Sequence, residues 1–178
     1  AHRWEKQRDL RELYGKTVCI VGTGDVGREI AKRMRAFGCS LIGINRTVRA
    51  QEEFDEILPL SELKCAVEKA DILVSCLALT DETYGLISRE VLDALPVDAV
   101  FVNVSRGALV DEDALIHWLQ SGRALGAVLD VFTTEPLPED SPLWGMENVI
   151  LSPHNSFVGE RNHKRIWRQI EERYVLSE

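Results

Sequence analysis

The hexapeptide Gly22-Thr23-Gly24-Asp25-Val26-Gly27 fits the pattern G-x-G-x-x-G, and each glycine in that pattern has its own physical task. Gly22 allows a tight turn, Gly24 lets a pyrophosphate approach the backbone, and Gly27 lets a following helix pack closely on the preceding strand. The N-terminus of that helix adds unpaired N–H groups and partial positive charge, which suit phosphates. About 20 residues further on, a carboxylate is expected to accept hydrogen bonds from the adenosine ribose hydroxyls. The sequence has Asn45-Arg46 there instead. Losing the carboxylate removes repulsion against a 2′-phosphate, and the Arg46 guanidinium, with Arg49 nearby, can bind one. A hydrogen bond to a charged group contributes about 1.5–3 kcal/mol, roughly a ten- to hundredfold preference. The residues therefore lean to NADP over NAD, against the plainer reading of Arg46 and Arg49 as solvated surface charges. S-adenosylmethionine or a purely structural turn are the other readings of the glycine loop.

A second set of polar groups follows three later apolar runs: Arg106 within Asn103-Val104-Ser105-Arg106-Gly107, Glu135 within Leu129 to Pro136, and His154 within Ser152-Pro153-His154. Singly, each has an ordinary reading as a turn arginine, a glutamate before proline or a loop histidine. From successive strand ends, the three can converge on one crevice, since doubly wound sheets place their ligands at the carboxyl ends of their strands.

The elements that must position these groups can be read from periodicity. Residues 2–13 read as a polar helix with Trp4, Leu10 and Leu13 as its apolar contacts. Continuous β-rich runs predict strands over 17–21, 40–45, 71–75, 99–104, 124–129 and 149–151, buried on both faces where they are most apolar. Helical spacing predicts a helix over 25–37, with Val26, Ile30, Met34 and Phe37 on its buried side and Gly38 as its stop. Further helices are expected over 60–69, over 88–95 with Ser88 as N-cap, over 111–121 closed by Gly122, and as a charged tail over about 158–176. Six strands alternating with helices predict one domain over 1–178, an α/β fold with a parallel, doubly wound sheet.

Composition sets the outer bounds. The chain has 178 residues with 21 Lys+Arg against 29 Asp+Glu, a formal charge of -8. That balance argues against nucleic acid as a partner, which needs a basic face. No apolar run approaches the ~18 residues of a membrane span, and the N-terminus does not read as a signal peptide. The four cysteines, Cys19, Cys39, Cys65 and Cys76, lack CxxC pairing and read as buried free thiols of a cytoplasmic protein. No metal site is evident.

Together, the glycine loop, Gly15-Lys16-Thr17, Leu77-Ala78-Leu79-Thr80-Asp81-Glu82-Thr83, Asn103 to Leu115, Leu129 to Pro138 and Pro142-Leu143-Trp144 through His154 resemble the D-isomer-specific 2-hydroxyacid dehydrogenases. The resemblance spans essentially the whole chain. It implies a three-layer, Rossmann-type NAD(P)-binding domain and an oxidoreductase interconverting a D-2-hydroxy acid and a 2-oxo acid. His154 would be the acid–base group, Glu135 would hold its imidazole and favour the protonated form, and Arg106 would grip the substrate carboxylate and 2-oxo oxygen. Gly24, Asp25 and Val26 would hold the pyrophosphate. Leu77, Ala78 and Thr83 would line the adenosine side, Val104 and Ser105 would pass beneath the nicotinamide, and Asp130 would bind its carboxamide.

The chain departs from the family pattern at Ala78, where proline is usual, and at Asn155-Ser156-Phe157, where small apolar residues are usual. The resemblance further implies that the half of the cleft closing over the substrate is absent from these 178 residues, the ends of the chain being interdomain-type helices. Such a chain is expected to bind cofactor, to be a poor catalyst alone and to form a homodimer. A dinucleotide-sensing binding module of corepressor type on the same fold is the competing class.

Overall fold

The computed structural model describes residues 10–174. The expected first helix falls mostly on residues 1–9, outside the described residues. Its last part, residues 10–13, is not helical, because the chain turns at once at Gly15, whose positive φ of 74° ends any helix. The Gly15 N–H then ties this turn to the Gly38 carbonyl at 3.1 Å.

Strand β1 (Thr17–Val21) leads into helix α1 (Asp25–Ala36), then β2 (Ser40–Asn45), β3 (Glu56–Pro59), α2 (Leu63–Val67), β4 (Ile72–Ser75) and α3 (Arg89–Ala94). The chain continues through β5 (Ala99–Asn103), α4 (Glu112–Gln120), β6 (Ala124–Leu129), β7 (Val149–Leu151) and α5 (Asn162–Tyr174). The sheet is parallel throughout, in the order β3-β2-β1-β4-β5-β6-β7. The order reverses between β1 and β4, and the crevice outside that switch point is where such sheets bind ligands.

Among the described residues, seven strands replace the expected six. The missed one, β3, is a four-residue edge strand ending in Pro59, too short and too partly exposed to announce itself by periodicity. The helix expected over 60–69 is a 3-10 turn (Leu60–Glu62) followed by only five α-helical residues. The tail helix begins at Asn162 rather than near Val158. Ser88 does stand at the start of α3, yet its hydroxyl bonds Glu90 Oε2 at 2.8 Å and does not cap the helix. Asp111 is a true cap, accepting from the Ala114 N–H at 2.9 Å.

Both sheet faces carry apolar packing. Val18, Ile20, Leu41 and Val74 meet Ala31 of α1, with Ile30 and Met34 beside them. The other face meets Leu63 and Val67 of α2, Val91 and Leu92 of α3, and Leu115, Trp118 and Leu119 of α4. The buried residues of α1 are Gly27 and Ala31. Val26 and Phe37, expected on the buried side, are 56% and 55% exposed. The helix lies so close to the sheet that only small side chains fit beneath it, and the bulky ones at its ends point away. Cys19 and Cys39 are buried and Cys76 half-buried, but Cys65 is exposed, so the expectation of four buried thiols fails there; all four are free. Burial pushes the thiols of Cys19 and Cys76 up to about 12, which leaves them unreactive.

Two glycines of the loop after β1 are fixed by contact. Gly22 has φ of 107°, and a Cβ there would sit 2.9 Å from the Cys76 carbonyl and the Leu77 nitrogen. At Gly27 a Cβ would overlap the carbonyl oxygen of Gly22. Gly27→Ala must therefore push α1 away from β1, at a typical overpacking penalty of about 1–3 kcal/mol. Thermal unfolding should show a lowered midpoint for this variant; an unchanged midpoint would mean that the helix does not sit as close as the structure places it.

Candidate active site

The turn after β1 is held from both neighbours. The Gly22 N–H bonds the Ile44 carbonyl at 2.8 Å, the Cys76 N–H bonds the Val21 carbonyl at 2.9 Å, and Cys76 Sγ contacts the Gly22 carbonyl at 3.1 Å. Helix α1 then starts at Asp25 with no side-chain cap, so the first N–H groups stay available to an anion. Nothing lies within 4 Å of where a Cβ on Gly24 would be. The opening of the helix is thus an uncovered donor surface. Asp25 leans aside to Arg28, 2.5 Å away.

The end of β2 faces the same crevice. Asn45 Nδ2 and Gln51 Nε2 both donate to Thr23 Oγ1, at 2.9 and 3.1 Å, while Asn45 Oδ1 accepts the Arg46 N–H at 2.9 Å. Both ends of the Asn45 amide are therefore engaged inside the protein. Arg46 projects outward with its side chain 77% exposed, and its nearest charge is Glu82, 3.9 Å away on the loop after β4. In that loop Leu77 is half-buried and Ala78 exposed. Thr83 is buried, its Oγ1 accepting from the Thr80 N–H at 2.8 Å and donating to the Ala78 carbonyl at 2.9 Å. The hydroxyl staples the loop, so the fold of this segment does not need the proline that Ala78 replaces.

After β5 a buried polar cluster sets the next turn. Asn103 Oδ1 accepts from the Ser105 N–H and hydroxyl at 3.1 and 2.7 Å, Ser105 Oγ lies 2.8 Å from Ser75 Oγ, and Asn103 Nδ2 donates to the Arg106 carbonyl at 3.2 Å. Val104, half-buried, anchors by its N–H to the Ser75 carbonyl. Arg106 emerges exposed at the end of this turn, its Nη1 donating to the Ser105 carbonyl at 2.6 Å. Gly107 follows, pressed so closely on the Phe132 carbonyl that a Cβ would overlap it.

That contact joins the Arg106 turn to the loop bearing Glu135. The carboxylate of Glu135 accepts the Phe132 N–H at 3.0 Å and a bond from His154 Nδ1 at 2.7 Å. A carboxylate only accepts here, so the ring proton sits on Nδ1 and Nε2 is the face left for chemistry. The hydrogen bond from His154 and that from Phe132 hold the Glu135 carboxyl below its usual range against the effect of burial, with the nearby His154 and Arg106 charges helping. Arg106, Glu135 and His154, 48 residues apart from first to last, are thus one electrostatic group. The His154 ring also meets Phe157 edge-on, centroids 6.1 Å apart. Beside the pair lies an apolar cavity of about 570 Å³, walled by Phe132, Pro136, Leu137, Trp144 and Leu151.

Residues 1–156 match the model of the D-isomer specific 2-hydroxyacid dehydrogenase, NAD binding domain. The chain belongs to this family. A glyoxylate/hydroxypyruvate reductase of Arabidopsis thaliana is 41% identical over 155 residues, 85% of this chain and 46% of that protein. A glyoxylate reductase of Korarchaeum cryptofilum is 36% identical over 167 residues, 92% of this chain and 49% of that protein. This dehydrogenase-family chain thus spans about half the length of the curated relatives it matches. Among solved structures it is similar to a D-isomer specific 2-hydroxyacid dehydrogenase of Xanthobacter autotrophicus in complex with NADPH, with a TM-score of 0.84, 36% identity, and 98% of this chain and 72% of that one covered. An NADPH-dependent glyoxylate/hydroxypyruvate reductase of Sinorhizobium meliloti in complex with NADP gives a TM-score of 0.85 at 30% identity, over 99% of this chain and 57% of that one.

Within this dehydrogenase-family domain, the sequence alone did not single out Ser75, Gln51 or Glu112. Glu112 accepts the Thr133 N–H at 3.0 Å and so steadies the loop that carries Glu135. No local pattern marks such residues, because their partners are 21 to 30 positions away. Among the described residues no group of three or more His, Cys, Asp or Glu side chains is placed to hold a metal ion.

Glu135 titrates below its ordinary 4.5 in the folded chain, so its contribution to stability is complete above that value and is lost as pH falls through the folded pKa. Glu135→Gln should therefore be less stable than the parent near neutrality, with the gap in thermal midpoint narrowing as pH falls below 4.5. A gap that persists unchanged into acid would show that the charge of Glu135 contributes nothing to the fold.

Proposed function

We propose that this chain provides the cofactor-binding and proton-transferring half of an NAD(P)-dependent oxidoreductase that interconverts a D-2-hydroxy acid and a 2-oxo acid. The 2.7 Å bond between His154 Nδ1 and Glu135 carries this reading. It fixes the tautomer and directs Nε2 to the crevice, where it can protonate a nascent alkoxide and later recover that proton. Arg106 offers a fork of donors for the substrate carboxylate and 2-oxo oxygen. When bound, the nicotinamide supplies the hydride. The uncapped start of α1 and the open space over Gly24 fit its pyrophosphate. The acidic balance of the chain, a formal charge of -8, favours a metabolic enzyme over a sensing module of corepressor type.

Arg46 supports NADP as the preferred cofactor. Its guanidinium stands exposed at the mouth of the crevice while the Asn45 amide is engaged with Thr23 and the Arg46 backbone. The chain spans about half the length of its curated relatives; in this reading closure over the substrate belongs to the other half, and the isolated domain binds cofactor and turns over slowly. Its partners are a small 2-oxo or 2-hydroxy acid and a second copy in a homodimer, not nucleic acid or membrane. The four free cysteines support a cytoplasmic setting.

Calorimetric titration with NADPH and NADH tests the cofactor reading. NADPH should bind tighter, by roughly ten- to hundredfold, and Arg46→Asp should invert the order. Equal or NADH-favoured binding would discard the preference for NADP. For the acid–base role, single-turnover reduction of glyoxylate by excess protein should slow about 10²–10⁴-fold in His154→Ala, with NADPH affinity unchanged. An undiminished rate would remove His154 from the chemistry.

A further inference from the structure

Asp130, the first residue after β6, is 2% exposed, and its carboxylate is surrounded by donors from a single short stretch of chain. Oδ1 accepts from Ser152 Oγ at 2.6 Å and from the Asn155 N–H at 3.0 Å, and Oδ2 accepts from the Ser156 N–H at 3.0 Å. A carboxylate has about four lone-pair directions, so these three donors leave one of them, on Oδ2. The backbone joins in: the Asp130 carbonyl accepts the His154 N–H at 2.8 Å, and the Asp130 N–H bonds the Asn103 carbonyl at 3.0 Å.

These bonds enclose the residue that most needs them. His154 has φ of 49°, a left-handed conformation that a non-glycine residue keeps only where its surroundings enforce it. The segment from Ser152 to Ser156 is folded around one acceptor. Its apex is the His154 backbone, and the direction of the imidazole follows from that backbone.

We propose that Asp130 is the positioning residue for His154: its carboxylate and carbonyl build the 152–156 turn that puts Nδ1 on Glu135 and Nε2 in the crevice. The lone pair left on Oδ2 is compatible with the carboxamide contact that family resemblance implies, so the positioning role stands beside that contact. This assignment rests on the reading of His154 as the proton-transferring group, but its test does not depend on turnover.

The test is the ¹⁵N spectrum of the His154 ring in the cofactor-free chain, alongside calorimetric titration with NADPH. In the parent protein the neutral ring should carry its proton on Nδ1. Asp130→Asn presents an amide N–H₂ to at least one of the donors it must accept, so the turn should loosen. The Nδ1–H signal should then give way to a mixture of tautomers, with or without a change in NADPH affinity. Ser152→Ala removes one donor without placing a new polar group in the site, and should move the same signal less. It keeps the test decisive if Asp130→Asn does not fold. An unmoved His154 spectrum in all the variants that fold would overturn the assignment. So would an unmoved spectrum combined with a roughly ten- to hundredfold loss of NADPH affinity in Asp130→Asn, which is the signature of a direct cofactor contact. Weak NADPH binding by the parent itself would count against the cofactor reading and leave the ring measurement standing.

Discussion

In a sheet whose strands all run the same way, every carboxyl end lies on one edge, and everything chemical in this molecule depends on that geometry. The glycine loop leaves β1, Arg46 leaves β2, Thr83 lies in the loop after β4, and Arg106, Asp130 and His154 follow β5, β6 and β7. Residues from 22 to 156 in the sequence are brought to one crevice because parallel pairing forces each crossover to return before the next strand begins. The register is fixed by buried apolar runs such as Val18-Cys19-Ile20-Val21, in which a slip of one residue would exchange the two covered faces.

On that edge the polar groups are supported by one another. Thr23 receives two amides, Thr83 bridges its own loop, Asn103 and Ser105 close the turn before Arg106, and Glu135 accepts both a backbone amide and the imidazole. A buried polar group left unpaired costs about 1–3 kcal/mol, so these bonds stabilise the loops chiefly by leaving few groups unpaired. The crevice is therefore arranged before any ligand arrives, as the proposed acid–base role of His154 requires.

Much of this was legible in the chain. The central strands declared themselves through continuous β-branched runs, and the glycine loop through its spacing. Arg106, Glu135 and His154 were marked by where they stand after those strands. What escaped had a physical reason. Strand β3 is four residues at an edge and ends in proline, so it has no pattern of its own. The buried face of α1 is made of Gly27 and Ala31, which a reading based on bulky apolar residues passes over in favour of Val26 and Phe37. The bonds of Thr23, Ser75 and Glu112 join residues far apart in sequence, and only folding reveals them. Residues were readable; their obligations to one another were not.

The backbone contact at Gly107 joins two loops that sequence keeps 25 residues apart. Where a carbonyl fills the place of a side chain, the turn bearing the arginine and the loop bearing the glutamate cannot slide independently. Thermal agitation can rock them together but changes the spacing between the arginine and the glutamate little. Any breathing of the crevice must hinge outside this pair. Widening the crevice and parting the arginine from the glutamate are thereby separate degrees of freedom.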